Sequence, residues 1–226
     1  MRLMTSLVAL LALGSHAMAA DMPAKMPVKA VVQPVPVYNW TGFYGGVFAN
    51  YHAGKIDGNG CVGATCPSDP KLKGWMAGIH AGYDYQFANG VVAGLFAVLP
   101  LTRLSNTLSG TVPGFDAPTK TEFMMLGGAR VGYAWDRVLP YVFAGVAHAR
   151  VSSTFNFNNV TVTQNHTGYT LGAGLEYSIA PHISLDFRYS YIDLGQKRYE
   201  FVAGFPANWG ERSHNFSIAL NFRQNP

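Results

Sequence analysis

Between Gly74 and Phe87 two kinds of residue alternate without a break. Trp75, Ala77, Ile79, Ala81, Tyr83, Tyr85 and Phe87 take the odd positions, while Gly74, Met76, Gly78, His80, Gly82, Asp84 and Gln86 take the even ones. Successive side chains of a strand point to opposite faces, so this segment is a strand with one oily face and one face that is small or wet. Thr167–Ile179 and Ile183–Tyr191 repeat the pattern, and Trp40–Ala53, Val91–Leu101, Thr121–Trp135, Leu139–Val151 and Ser213–Phe222 are read as further strands, eight in all. Their connections alternate in length. They are long over 54–73, 102–120, 152–166 and 193–212, and short over 88–90, 136–138 and 180–182. Composition agrees with a chain outside ordinary aqueous company: 12% of residues are charged, about half the share of a soluble domain. The Lys and Arg residues are scattered singly, which excludes a phosphate-tracking nucleic-acid surface.

Short turns at one end and long loops at the other, joined by segments of ten or more alternating residues, are the pattern of a transmembrane barrel. A soluble sandwich would also alternate, but the polar, Gly-rich face here is too small and too hydrophilic for a packed core. The aromatic residues fall into two belts. Tyr51, Trp75, Phe123, Tyr169 and Tyr191 lie near the long-loop ends of their strands, and Tyr85, Trp135, Tyr141, Tyr177 and Phe222 near the short-turn ends. Amphipathic rings are favoured at the two membrane interfaces. The fold expected is therefore all-β, an eight-stranded antiparallel up-and-down transmembrane β-barrel over residues 40–222. Eight strands leave an interior that side chains nearly fill, so no wide pore is expected.

The flanking segments read differently. Arg2, the apolar run Leu7–Leu13 and the Ala17-Met18-Ala19 cleavage site make residues 1–19 a signal peptide, which implies export. Residues 20–39 carry Pro23, Pro27, Pro34 and Pro36 and form an extended periplasmic leader, with Lys25 and Lys29 available to an anionic surface such as the cell wall. Residues 223–226 are read as a short extension beyond the last strand.

Three segments carry a family resemblance. Trp40-Thr41-Gly42-Phe43-Tyr44-Gly45-Gly46 opens the first strand, Arg130–Tyr141 (RVGYAWDRVLPY) crosses a turn, and Tyr189–Gly195 (YSYIDLG) follows later. Together they resemble the small outer-membrane barrels of alphaproteobacteria, described as outer-membrane immunogenic or porin-family proteins and related to OmpA-like and OmpX-like barrels. The resemblance spans essentially the whole mature chain. It implies an outer-membrane location, contact with the lipid bilayer and lipopolysaccharide, and handling by the barrel assembly machinery. Such barrels usually finish on an aromatic residue that the machinery reads, whereas here Phe222 is followed by Arg223-Gln224-Asn225-Pro226. Their third strand usually carries acidic residues facing the lumen, whereas here Val92, Gly94, Phe96 and Val98 occupy those positions.

Several residues are candidates for chemistry. Asp84, Arg130, Glu176, Asp186 and Arg188 occupy lumen-facing positions just above the short turns and are expected to meet, either as a salt-bridge plug or as an ion path. Cys61 and Cys66, in the first long loop of an exported chain, are expected to form a disulfide. His182 and Ser184 superficially resemble the His-x-Ser pairing of the outer-membrane lipid A deacylases, but they sit at a short turn with no evident oxyanion hole, so no enzymatic role is expected. No cofactor is expected. Polar residues in the lumen beneath Gly/Asn/Ser-rich loops point to a structural, envelope-supporting and surface-interacting role. The alternatives are a narrow porin or a surface receptor for haem, the latter resting on His52, His166 and Tyr199 and on relatives described as haemin binders.

Overall fold

The computed structural model describes residues 38–59, 71–108, 117–155, 159–202 and 205–224. The signal-cleavage residues Ala17 and Ala19, the leader up to residue 37, and Cys61 and Cys66 lie outside the described residues. The strands are β1 (Gly42–Asn59), β2 (Lys71–Gln86), β3 (Val91–Pro100), β4 (Leu104–Leu108), β5 (Ala117–Tyr133), β6 (Val138–Phe155), β7 (Val160–Ala180), β8 (Ile183–Val202) and β9 (Phe205–Gln224). All pairings are antiparallel, and β1 pairs with both β2 and β9. β3 pairs with β5, so the sheet closes on itself as a ring of eight strands. Over Val91–Val98 the closing strand β3 is paired on both sides, which is what hydrocarbon demands.

β4 is a ninth, short strand inside the expected loop over 102–120, and it pairs with the upper part of β5. Pro100 ends β3, because proline offers no N–H to continue a ladder. The chain then leans back on β2, with Leu101 N and Thr102 N both donating to Ala77 O, at 2.9 and 3.2 Å. The short turns sit where the alternation stops. Asp136 and Arg137 form a two-residue hairpin between Trp135 and Val138, whose backbones exchange hydrogen bonds of 2.8 and 2.9 Å. Asp136 adopts a φ of 49°, a conformation that a short polar side chain tolerates.

At the other end the strands run well past their expected limits. β7 starts at Val160 rather than Thr167, β8 continues to Val202 rather than Tyr191, and β9 starts at Phe205 rather than Ser213. Above the membrane polar residues take both faces of a hairpin, so apolar alternation fades while backbone pairing persists. Hydroxyl pairs such as Ser152–Thr163 and Thr154–Thr161, each at 2.9 Å, hold the β6–β7 hairpin there.

β9 also ends later, at Gln224 rather than Phe222, so Arg223 belongs to the barrel and not to an extension. Trp40 departs from expectation as well. It precedes β1 and lies across the short-turn mouth, fully buried against Val92 and Leu139. Its Nε1 donates to Asp136 O at 3.0 Å and its backbone N to Gln86 Oε1 at 2.8 Å, so two turns hold the indole in place.

Candidate functional site

The barrel's two faces follow strand parity. Outward residues are large and apolar: Phe43, Leu95 and Phe222 are each more than 60% exposed, a surface that only lipid would cover without cost. The expected belt residues Trp75, Phe123, Tyr169, Tyr85, Trp135, Tyr177 and Phe222 are all exposed on this face, and Tyr191 is half-buried beside His214. Tyr141 is the exception. Its height along β6 suggested a belt position, but it is in register with Gly174 on the inner face of β7, and its ring is buried in the lumen.

The inner face explains the glycines. Asp84, Gly94 and Arg130 are register partners on β2, β3 and β5, so the two charged side chains meet across a position without one. A Cβ on Gly94 would overlap Asp84 Oδ1. Gly174 likewise separates Tyr141 from Arg188 on β6, β7 and β8, and a Cβ there would enter the tyrosine ring. Glycine in these strands makes room for a neighbour to reach over it.

All five expected charges are brought together. Arg130 grips Asp84 with Nε at 2.9 Å and Nη2 at 2.5 Å, and the same Nη2 lies 3.0 Å from Glu176 Oε2. Arg188 Nη2 donates to Asp186 Oδ2 at 2.7 Å and its Nε to Tyr141 Oη at 3.0 Å, while that hydroxyl donates to Asp186 Oδ1 at 2.7 Å. The group also includes Arg223, which strand reading placed outside the barrel. Its Nη1 lies 2.9 Å from Asp84 Oδ2 and 2.5 Å from Trp40 O, and its Nη2 lies 3.2 Å from Glu176 Oε1.

Asp84, Arg130, Glu176 and Arg223 thus form a closed ring of alternating sign. With Arg188 and Asp186 beside it, the layer holds three cations and three carboxylates. The signal for the sixth member was arithmetic, because the five expected residues sum to −1 and a buried layer of that kind calls for one more cation. Ser184 Oγ at 2.6 Å and Asn221 Nδ2 at 3.0 Å donate to Glu176 Oε1. Tyr44 stacks on the guanidinium groups of Arg130 and Arg223, at 4.4 and 4.9 Å.

A cavity of about 40 Å³ adjoins this layer, lined by Asp186 and Arg188 together with Phe96, Phe143, Met124 and Asn215 among others. That is room for a few waters. The long-loop half is not uniformly polar, as Met124, Leu126, Ala147, Ala149, Ile192 and Leu194 form an inward apolar cluster. At the mouth, His52 is buried with Nδ1 2.9 Å from Asn215 Oδ1 and Nε2 2.8 Å from Glu211 Oε1. Both ring nitrogens face protein partners, which leaves this imidazole poorly placed to ligate haem iron. No group of three or more His, Cys, Asp or Glu residues able to hold a metal occurs among the described residues.

A closed antiparallel barrel with an apolar exterior, two aromatic belts and a charged interior defines the class of outer-membrane barrels. The family model for the outer membrane protein beta-barrel domain matches residues 5–223, and the chain belongs to that family. It is 31% identical to the 31 kDa outer-membrane immunogenic protein of Brucella melitensis, over 92% of this chain and 94% of that protein. It is 28% identical to the 22 kDa outer membrane protein of Rhizobium leguminosarum, over 83% and 80% respectively. The outer membrane protein OprG of Pseudomonas aeruginosa shares the fold, with a TM-score of 0.54 at 11% identity over 83% of this chain and 98% of that one. The protein is an integral barrel of the outer membrane, embedded in the bilayer, with a structural and surface role.

Proposed function

We propose that this barrel is closed to solutes, that its inner charge layer is a structural plug, and that its outward business is done at the long-loop end. The observation that carries the reading is the electroneutral layer of Asp84, Glu176, Asp186, Arg130, Arg188 and Arg223, in which every charge has an opposite partner within 3.2 Å. Paired in this way, the ions tie β2, β5, β7, β8 and β9 together across the lumen, and moving any one would strand its partner. Trp40 seals the same layer from the short-turn side.

The relatives named immunogenic support a surface that an immune system meets where there is a host, and the long-loop end is the part facing outward. Catalysis has no place in this reading. Ser184 Oγ is spent on Glu176, and His182 Nδ1 faces Arg223 O at 3.1 Å. Phe222, outward on β9, offers the barrel assembly machinery an aromatic signal although residues follow it. The test is solute flux. Vesicles holding the folded protein should take up arabinose no faster than protein-free vesicles, and uptake rising with the amount of folded barrel would overturn the plug.

A further inference from the structure

The ring of strands has one junction at which the ladder stops short. β2 and β3 pair only as far as Gly78 and Pro100, and beyond them β4 pairs with β5 alone. Leu101 N and Thr102 N close on Ala77 O, and Ala77 N donates to Thr102 Oγ1 at 2.8 Å. Backbone groups of an antiparallel strand alternate sides, so Trp75 and Lys73, like Ala77, direct theirs into the seam between β2 and β4. Among the described residues no strand takes them up. The seam opens at the long-loop aromatic belt, with Trp75, Leu101 and Phe123 exposed on the lipid side. On the lumen side stand Met76 of β2, Pro100 and Met124 of β5, and all three line the interior cavity. The cavity therefore lies directly behind the interrupted ladder.

A second observation comes from the far wall. Thr170 stands on β7, four strands from β2 around the ring and so across the lumen from the seam. It lines the same cavity, is fully buried, and its Oγ1 has no hydrogen-bond partner. A buried hydroxyl left alone is costly, and it can either donate or accept. Its polar neighbours are already engaged. Asn50 Nδ2 donates to Asn215 Oδ1 at 3.1 Å, Ser217 Oγ donates to Asn50 Oδ1 at 3.2 Å, and Arg188 holds Asp186 at 2.7 Å. The adjoining charge layer is balanced, so a charged group brought into the cavity would leave an excess buried ion. The group that answers Thr170 is therefore small and neutral.

We infer that the cavity and the seam together bind a short-chain aliphatic alcohol taken from the outer leaflet, with its hydroxyl on Thr170 Oγ1 and its alkyl chain leaving between Met76 and Met124 into the lipid. Size decides the route. At about 40 Å³ the cavity holds a head group of a few atoms and no chain. The chain must cross the wall, and the seam is where no ladder has to be broken. Methionine side chains are unbranched and flexible, so Met76 and Met124 can part around a chain and close behind it. Apolar walls with one polar anchor make a small-molecule site of the ordinary kind. The site leaves every pair of the charge layer in place, and it stands whether or not that layer closes the lumen to solutes.

The test uses the folded full chain in phospholipid vesicles, with compact mobility of unheated samples on gels establishing folding. The probe is a photoreactive octanol with a diazirine next to the hydroxyl-bearing carbon, and labelled residues are located by peptide mass spectrometry. Labelling of Ser190 and Ile192, which line the cavity beside Thr170, should saturate and be competed by plain 1-octanol, whereas labelling of outward Leu95 should rise in proportion to probe. Thr170→Val should raise the half-saturating concentration about fivefold, the worth of one hydrogen bond, and Thr170→Ser should restore it. Met76→Phe should fill the lumen side of the seam and abolish the saturable labelling. If Met76→Phe does not fold, the Thr170 pair decides. Absence of saturable labelling in the cavity would mean that Thr170 is answered by water alone and would overturn the site. An unchanged half-saturation in Thr170→Val would do the same, and wild-type labelling of folded Met76→Phe would overturn the route through the seam.

Discussion

Replacing Arg223 with methionine removes one of three cations from a layer with three carboxylates, leaving one buried negative charge in excess. Asp84, Glu176 and Arg223 are all essentially inaccessible to solvent, and breaking such a pair from one side typically costs about 3–5 kcal/mol. The lower end applies here, because Arg130 still holds Asp84 by two hydrogen bonds and stands 3.0 Å from Glu176. Arg223→Met should therefore destabilise the inserted barrel by about 3 kcal/mol, roughly a hundredfold in the unfolding equilibrium. The assay is urea unfolding of vesicle-inserted protein, followed by loss of the compact gel mobility of the unheated barrel. Adding Asp84→Asn restores neutrality while leaving an amide oxygen for Arg130 Nε. The double variant should then be more stable than the sum of the two single effects allows, by at least 1 kcal/mol. If Arg223→Met unfolds at the wild-type urea concentration, or if the two changes simply add, the reasoning about a balanced charge layer is wrong.

Other perturbations separate the plug from its surroundings. Trp40→Ala empties a fully buried site at the short-turn mouth and should cost about 3 kcal/mol in the same urea assay. It should leave vesicles as impermeable to arabinose as before, because the charge layer above it still closes the lumen, and permeability in this variant would place the closure at Trp40 instead. Gly94→Ala puts a methyl onto Asp84 Oδ1 and the Tyr83 carbonyl and should cost about 2 kcal/mol. Gly127→Ala, whose nearest contact is Phe96 O at 3.6 Å, should change stability little, and equal effects at the two sites would contradict the account of glycine as clearance.

The ring of eight strands was legible because hydrocarbon imposes one rule on every spanning segment, and Gly74–Phe87 shows that rule without exception. The rule also fixed which charges face inward, so Asp84, Arg130, Glu176, Asp186 and Arg188 could be gathered from parity alone. It lapsed above the long-loop interface, where Val160–Asn165 pairs as strand with side chains exposed or half-buried and hydroxyls replace oil as the binding chemistry. Arg223 lies past the final aromatic residue, where the apolar pattern that marks a spanning strand stops, although parity aims residue 223 inward beside Asn221. Tyr141 was placed by height when its facing was decided by register with Gly174. The role of Trp40 across the mouth depends on contacts with Gln86 and Asp136, 46 and 96 residues away, and no local pattern announces such a return.

The central claim, that paired charges close this lumen, is tested most directly by single-channel recording of the folded barrel in a planar bilayer, with compact gel mobility establishing that the inserted protein is native. The account predicts silence from the wild type at moderate voltages. Stable, stepwise conductance altered by Arg130→Ala or Glu176→Ala would contradict it and make the same residues the lining of a pore.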